Sequence, residues 1–330
     1  MAKLRLSIAS AAYDRVAALR DGRISVECCD HDHLVVGHEQ MFQRAFQFAE
    51  YDVSELSMSS YLVSLARDDS PYVAVPVFLS RLFRHSAIYL NADAGIVRPE
   101  DLRGKRIGVP EYQMTAALWA RGLLDDEYGV PPSAMEWFQG GLHETGRAEK
   151  LKLNLPDDIR IRSIAADRTL NDLLASGEID ALISARAPRA FLQGDGSVTR
   201  LFPEYRGEEQ AYFRKTGIFP IMHVLGIRRS LVEEHPWLAS SVYDAFVRAK
   251  LAADDWLSDV SALRVTLPWL GAELDETRAA MGRDFWPYGV ERNRTTLERL
   301  FDYAYRHGTV PRRFTLEEVF APSTLIETRI

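Results

Sequence analysis

Short apolar runs separated by polar turns fill the first two thirds of the chain. In MAKLRLSIAS, Leu4, Leu6 and Ile8 alternate with polar neighbours, the period of a half-buried strand, and predict one over 4–9. Comparable runs predict strands over 52–57, 72–78, 86–91, 106–109, 161–165, 181–184 and 221–228. Over 114–128, Ala116, Trp119, Ala120 and Leu123 fall on one helical face, and Gly129 and Pro131 end the run. Strands that alternate with helices in this way predict an α/β protein with mainly parallel sheets. Beyond about residue 229 the period turns helical. Pro236 suits a first turn, followed by Leu238, Val242, Ala245, Phe246 and Ala249 at helical spacing. A last helix is expected from Asn293 as N-cap through Leu297, Leu300, Phe301 and Ala304 to Gly308.

Composition narrows the function classes. A chain of 330 residues suggests about two domains, and 47% hydrophobic with 26% charged residues is ordinary globular usage. Forty Lys and Arg against forty-seven Asp and Glu leave a net charge of −7, so no global basic field draws in nucleic acid or an anionic membrane, and neither is expected as a partner. The two cysteines are the neighbours Cys28 and Cys29, which suits a reducing compartment rather than a disulfide framework. No run approaches the length of a membrane-spanning helix, and the start lacks the apolar core of a secretory signal. A cytoplasmic location is expected, and a homo-oligomer is compatible with the sequence.

The stretch from Asn91 to Gly104 reads as a crossing between two lobes. It leads into PEDLRGKRIGVPEYQ, where a polar turn feeds the strand 106–109, and Pro110 and Glu111 lead on to a helix near Thr115. Backbone N–H groups at such a helix start favour an anion, so the place suits a carboxylate.

Several long segments resemble one family. SMSSYLVSLARDD, FLSRLFRHSAIYLNADAGI, EDLRGKRIGVPEYQMTAALWARG, GEIDALISARAP, TGIFPIMHVLGIRR and DFWPYGVERN are similar to the 4,5-dihydroxyphthalate decarboxylases, and the likeness runs from Tyr13-Asp14-Arg15 to Phe320-Ala321-Pro322. It implies an α/β, two-lobed, type 2 periplasmic binding protein-like fold, with a mainly parallel sheet in each lobe and a ligand cleft between them. One lobe would comprise 1–92 plus 223–330, the other 93–222. The implied reaction is loss of carbon dioxide from a small aromatic dicarboxylate without a cofactor.

A substrate with two ring carboxylates calls for arginine, whose planar fork meets a carboxylate with two parallel bonds. Arg15, Arg81, Arg84 and Arg186 follow predicted strand ends, although a solvated surface role is the plain alternative for each. Ser59, Ser60 and Tyr61 follow the strand ending near Ser57 and either face the ligand or cap the next helix. Tyr112, Gln113 and Thr115 hold the equivalent turn of the second lobe. Tyr13, Asp14 and Arg15 complete the substrate-binding set that the resemblance implies.

Decarboxylation also needs a proton donor. His85, beside Arg84, and His223, within IFPIMHVLGI, interrupt apolar runs; each is either a structural histidine or the acid. Glu111 and Asp14 are candidates for polarising a ring hydroxyl or for orienting an arginine. His235 and His307 read as structural. His31 and His33 share one face of an extended segment between Asp30 and Asp32, and a divalent metal ion held there is the alternative to a cofactor-free enzyme. That pair lacks a third ligand nearby. Two rival classes are a non-catalytic solute-binding or sensory protein for a small aromatic carboxylate and a metal-dependent lyase or hydrolase.

Overall fold

The computed structural model describes residues 3–149, 151, 153–259 and 261–326. Eleven strands run in chain order among them: β1 (Leu4–Ser10), β2 (Cys29–Val35), β3 (Val53–Ser57), β4 (Tyr72–Arg81), β5 (Ile88–Asn91), β6 (Arg106–Val109), β7 (Glu136–Gln139), β8 (Ile161–Ser163), β9 (Ala181–Ile183), β10 (Val198–Arg200) and β11 (Ile221–Arg228). The chain divides into two compact units. One comprises Met1–Arg81, Ile221–Glu298 and Phe314–Ile330, the other Leu82–Pro220 and Arg299–Arg313.

The first unit holds a five-stranded sheet in the order β2-β1-β3-β11-β4. β1 is parallel to both β2 and β3, whereas β11 runs antiparallel to β3 and β4. β3, at the centre, is buried along its whole length, and Leu6, Ile8, Val53, Leu56, Val75 and Ile227 are nearly free of solvent contact. The second unit holds a six-stranded sheet in the order β10-β5-β9-β6-β7-β8. Here β6, β7, β8 and β9 are parallel and β5 is reversed. Each sheet is thus mainly parallel. Its one reversed strand, β5 or β11, is the one the chain forms on passing from one unit to the other.

Local signals placed the elements well. The helix expected over 114–128 spans Thr115–Tyr128 and ends on Gly129, whose positive φ of 63° a side chain would resist. Two starts differ. Helix Leu238–Ser258 begins after Pro236 rather than on it. Helix Arg294–Arg306 does not use Asn293 as a cap, because that side chain donates to the Pro287 and Gly289 carbonyls and accepts from Arg81. β7 and β10, each too short to show a period, had no sequence signal, and Ile88–Asn91 pairs with β9 and β10 in the second unit's sheet. No helix among the described residues is long and apolar enough to cross a membrane.

Candidate active site

β1 and β3 are parallel, so their carboxyl ends share one edge of the sheet, and the reversed β11 begins at that edge. Ligands of open α/β sheets bind outside this edge. Glu55 lies in β3 with a fully buried side chain, on the same face as Ser57. His223 stands opposite Ser57 in the β3–β11 register, which puts its ring diagonal to Glu55. The pairing of β11 with β4 shifts register on both sides of His223, from Ser80 to Val75, across a segment containing Pro76, which has no N–H to offer a ladder. Such bulges re-aim a side chain.

A compact polar network results. His223 Nδ1 lies 2.6 Å from Glu55 Oε1, the Tyr13 hydroxyl donates to the same oxygen at 2.7 Å, and the Ala11 amide donates to Oε2 at 3.0 Å. His38, first residue of the helix His38–Phe48, places Nε2 2.8 Å from the Tyr13 hydroxyl and 3.6 Å from Glu55. Proton positions follow from these contacts. With Glu55 ionised, the one hydroxyl proton of Tyr13 points to the carboxylate, so His38 Nε2 donates to the tyrosine oxygen and His223 Nδ1 donates to Glu55. Phe42, one turn after His38, meets the His223 ring edge-on at 4.9 Å. Arg15 is layered between Tyr13 and Trp286, at 4.0 and 4.3 Å from their ring centres, and donates to the Leu79 carbonyl and Asp14.

Burial works against ionised Glu55, but hydrogen bonds from His223 and His38 outweigh it and hold the carboxyl below its usual range. Burial, with Glu55 adding to it, raises the Tyr13 phenol, so it stays neutral. A fixed carboxylate on one imidazole nitrogen favours the imidazolium and orients the ring, the arrangement a general acid needs. The same atoms admit another chemistry. One ligand atom from each of His38, Glu55 and His223 falls within a 4.8 Å span, and two imidazoles with a carboxylate form a donor set that suits a divalent ion.

A curated 4,5-dihydroxyphthalate decarboxylase of Comamonas testosteroni is 44% identical over 330 residues, spanning 100% of both chains. The chain belongs to the 4,5-dihydroxyphthalate decarboxylase family. A relative of the same name from Pseudomonas putida is 46% identical over 214 residues, which cover 65% of this chain and 83% of that one. No family model matches. Among solved structures, the sulfonate-binding protein SsuA of Methylobacillus flagellatus superposes with a TM-score of 0.56 at 14% identity, covering 98% of this chain and 93% of that one. SsuA of Escherichia coli gives 0.54 at 14%, covering 98% and 99%. These two likenesses establish the periplasmic binding protein-like fold.

The residues to which the family resemblance pointed fall in both units. In the first, Tyr13 and His223 join Glu55, and Arg15 and Asp14 lie beside them. Arg81 is buried and donates to Asn293 and the Pro287 carbonyl, and burial lowers it to about 9. Tyr61 donates to the Val319 carbonyl and accepts from the Ala74 amide, a packing role. Ser59 and Ser60 are buried in the first turn of helix Met58–Ala66 rather than capping it, and the Ser60 hydroxyl meets Ser57. His31 and His33 bind separately to the Leu19 carbonyl and the Ser10 hydroxyl. Burial lowers His33 to about 4.

In the second unit, Arg84 and His85 line a small hollow with Trp119 and Tyr212. Glu111 is buried against Arg147, Gln113 and Thr115 are buried, Tyr112 is packed under Arg121, and Arg186 is exposed. His85 sits edge-on to Phe202 and Tyr212, and burial lowers it to about 4, so it is neutral near pH 7. Replacement His85→Phe is therefore expected to keep turnover within about threefold of the parent, whereas loss of a true proton donor costs about 10²-fold or more. Steady-state kcat decides between them. Glu55 and His38 had not been singled out in the sequence. Glu55 carried a usable signal, an acid within a strand pattern; His38 carried none.

Proposed function

We propose that this protein decarboxylates 4,5-dihydroxyphthalate to protocatechuate and carbon dioxide, with His223 as the acid. The contact of His223 with buried Glu55 supports the chemistry, and the name of the Comamonas relative supports the substrate. Direct loss of carbon dioxide from an aryl ring would leave a carbanion orthogonal to the ring electrons. Protonating the ipso carbon first avoids it. One aryl carboxylate and one proton then become one ring C–H and one carbon dioxide, and the electrons of the broken C–C bond restore aromaticity. Each carboxylate is para to a hydroxyl, and weakening that O–H bond pushes electron density to the carbon that accepts the proton. Tyr13 and His38 are the polar groups beside His223 suited to that task.

A positioned acid contributes about 10² to 10⁴ in rate, and preorganised charge supplies the larger share. Within the first unit, Arg15 is engaged with the Leu79 carbonyl and Asp14. This reading requires no cofactor. The convergence of His38, Glu55 and His223 favours one second reading, in which a divalent ion replaces the shared protons. A cytoplasmic location fits the free adjacent Cys28 and Cys29, and the net charge of −7 fits a small-molecule partner rather than nucleic acid or membrane.

The test is to incubate the purified protein with 4,5-dihydroxyphthalate, with and without a chelator. Protocatechuate and carbon dioxide in equal amounts, unaffected by the chelator, are expected. Activity lost to the chelator and restored by a divalent ion would assign the triad to metal. Ligand binding without product would make the chain a binding protein.

A further inference from the structure

In DFWPYGVERN the segment Trp286–Gly289 is laid along β4 of the first unit. The Trp286 indole donates to the Phe78 carbonyl at 2.8 Å, the Gly289 amide donates to the Pro76 carbonyl at 2.9 Å, and Arg81 donates to the Pro287 carbonyl at 3.2 Å. These bonds hold the chain on both sides of Tyr288. Helix Leu238–Ser258 brings Lys250 Nζ to 6.0 Å from the centre of its ring. Tyr288 is 4% exposed, and its hydroxyl is buried with no hydrogen-bond partner. A tyrosine in the core ordinarily finds one, because an unmet buried hydroxyl costs stability.

The hydroxyl lies in the field of the candidate active site. Arg15, Asp14, Asp254 and Glu55 act on it, and Arg81 is a further charge in its reach. Burial, with the three carboxylates adding to it against Arg15, raises the phenol and keeps it neutral. The cations around it are committed: Arg15 to the Leu79 carbonyl and Asp14, Arg81 to Asn293 and the Pro287 carbonyl, Lys250 to Asp254 at 3.2 Å and Asp284 at 2.6 Å. An incoming carboxylate would meet three carboxylates and three engaged cations. A neutral hydroxyl suits the place better, because it can accept from the phenol or donate to it without bringing a charge. Arg15, layered between Tyr13 and Trp286, ties this place to the Tyr13 hydroxyl that donates to Glu55.

We propose that the Tyr288 hydroxyl is a substrate-binding group that takes up one ring hydroxyl of a phenolic ligand and so fixes which edge of the ring faces Glu55. That the ligand carries two adjacent hydroxyls rests on the function proposed above. In 4,5-dihydroxyphthalate one hydroxyl is para to the carboxylate that leaves, and Tyr13 and His38 are the groups suited to polarise it. The other, para to the carboxylate that stays, falls to Tyr288. The two tyrosines then read the two hydroxyls together, and a ring that lacks either one is bound less well. Of the charged groups around Tyr288, Asp14 is exposed, and the ring hydroxyl enters from its side.

Three simple acids are the probes. In 3,4-dihydroxybenzoate both hydroxyls are kept, and the 4-hydroxyl is the one assigned to Tyr288; 3-hydroxybenzoate lacks that group and 4-hydroxybenzoate lacks the other. Calorimetry with the parent protein is expected to show 3,4-dihydroxybenzoate bound about tenfold more tightly than either monohydroxy acid, the worth of a hydrogen bond to a buried group otherwise left unmet. Tyr288→Phe should bind 3,4-dihydroxybenzoate and 3-hydroxybenzoate within about twofold of each other, and should keep the parent's preference over 4-hydroxybenzoate. Because the hydroxyl has no internal partner, the melting temperature of this variant should hold or rise. The proposal is overturned by an undiminished preference over 3-hydroxybenzoate in Tyr288→Phe, by an equal loss of preference over both monohydroxy acids, or by no binding of 3,4-dihydroxybenzoate to the parent. A melting temperature lowered by several degrees would overturn it too, since the hydroxyl would then serve the core. A preference that needs Tyr288, without turnover of 4,5-dihydroxyphthalate, would sink the decarboxylase reading and leave this subsite standing. Turnover with the preference intact in Tyr288→Phe would do the reverse.

Discussion

Replacing Glu55 by Gln should lower kcat by about 10² to 10⁴, the range expected for loss of a positioned general acid, while leaving the fold intact. Gln keeps the size of the side chain and can still accept from the Ala11 amide. It cannot hold a negative charge against His223 Nδ1 at 2.6 Å and the Tyr13 hydroxyl at 2.7 Å. Without that charge the imidazolium loses its counter-ion, so the residual activity should move to lower pH. His223→Asn should lose as much rate with no such shift, because no imidazole is left to titrate. The double variant should be little worse than either single one, as for residues that act as a unit. Profiles of kcat against pH for the three proteins make the test. Near-parental turnover by Glu55→Gln across neutral pH would remove the pair from the mechanism.

The pair also sets a stability trend. The Glu55 carboxyl is held below its unfolded value, so its contribution is complete above the ordinary carboxylate range and is lost as pH falls through the depressed folded-state value. Acid should therefore weaken the site from the inside, starting where the unfolded chain begins to bind a proton that the folded chain refuses.

Some of this is legible in the amino-acid sequence itself. Helix Thr115–Tyr128 announced itself because periodicity, Gly129 and Pro131 are local signals and agree. His223 stood out because a polar ring in IFPIMHVLGI costs burial energy that an apolar residue would avoid. What brings it to Glu55 is not local. The order β1-β3-β11 joins strands far apart in sequence, so the meeting of Tyr13, His38, Glu55 and His223 is a property of sheet topology. The arginines show a different limit. Their type suggested carboxylate clamps, yet the fork of Arg15 ends on the Leu79 carbonyl and Asp14, and that of Arg81 on Asn293 and the Pro287 carbonyl. Residue identity specifies what a side chain can bind; only packing specifies what it does bind. The helix start after Val109 shows both halves at once. The strand-to-helix turn shows free amides in the sequence; that the Tyr112 amide donates to Glu149 of the same chain is a matter of packing.

Gly122→Ala should destabilise the second unit, although alanine is the better helix former by about 1 kcal/mol in a helix interior. Gly122 lies within Thr115–Tyr128, and a Cβ there would overlap the Cδ2–Cε2 side of the Tyr303 ring, 2.5 Å from Cζ. Tyr303 has little room to retreat. It is 1% exposed, its hydroxyl donates to Asp126 at 2.8 Å, its ring stacks on His307 at 5.6 Å, and Trp119 meets it edge-on. This packing explains why Arg299–Arg313 belongs with the second unit, where the sequence division had placed it with the first lobe. Overpacking of a close-packed core costs about 1–3 kcal/mol, which exceeds the propensity gain, and for a body of this size each kcal/mol lowers the melting temperature by about 2–4 °C. Trimming the ring removes the clash and leaves only the propensity term. In a Tyr303→Leu background, Gly122→Ala should therefore stabilise the protein, and the change of sign between the two backgrounds is the result to measure by thermal unfolding. A similar loss in both backgrounds would mean that the glycine serves something other than the approach of Tyr303.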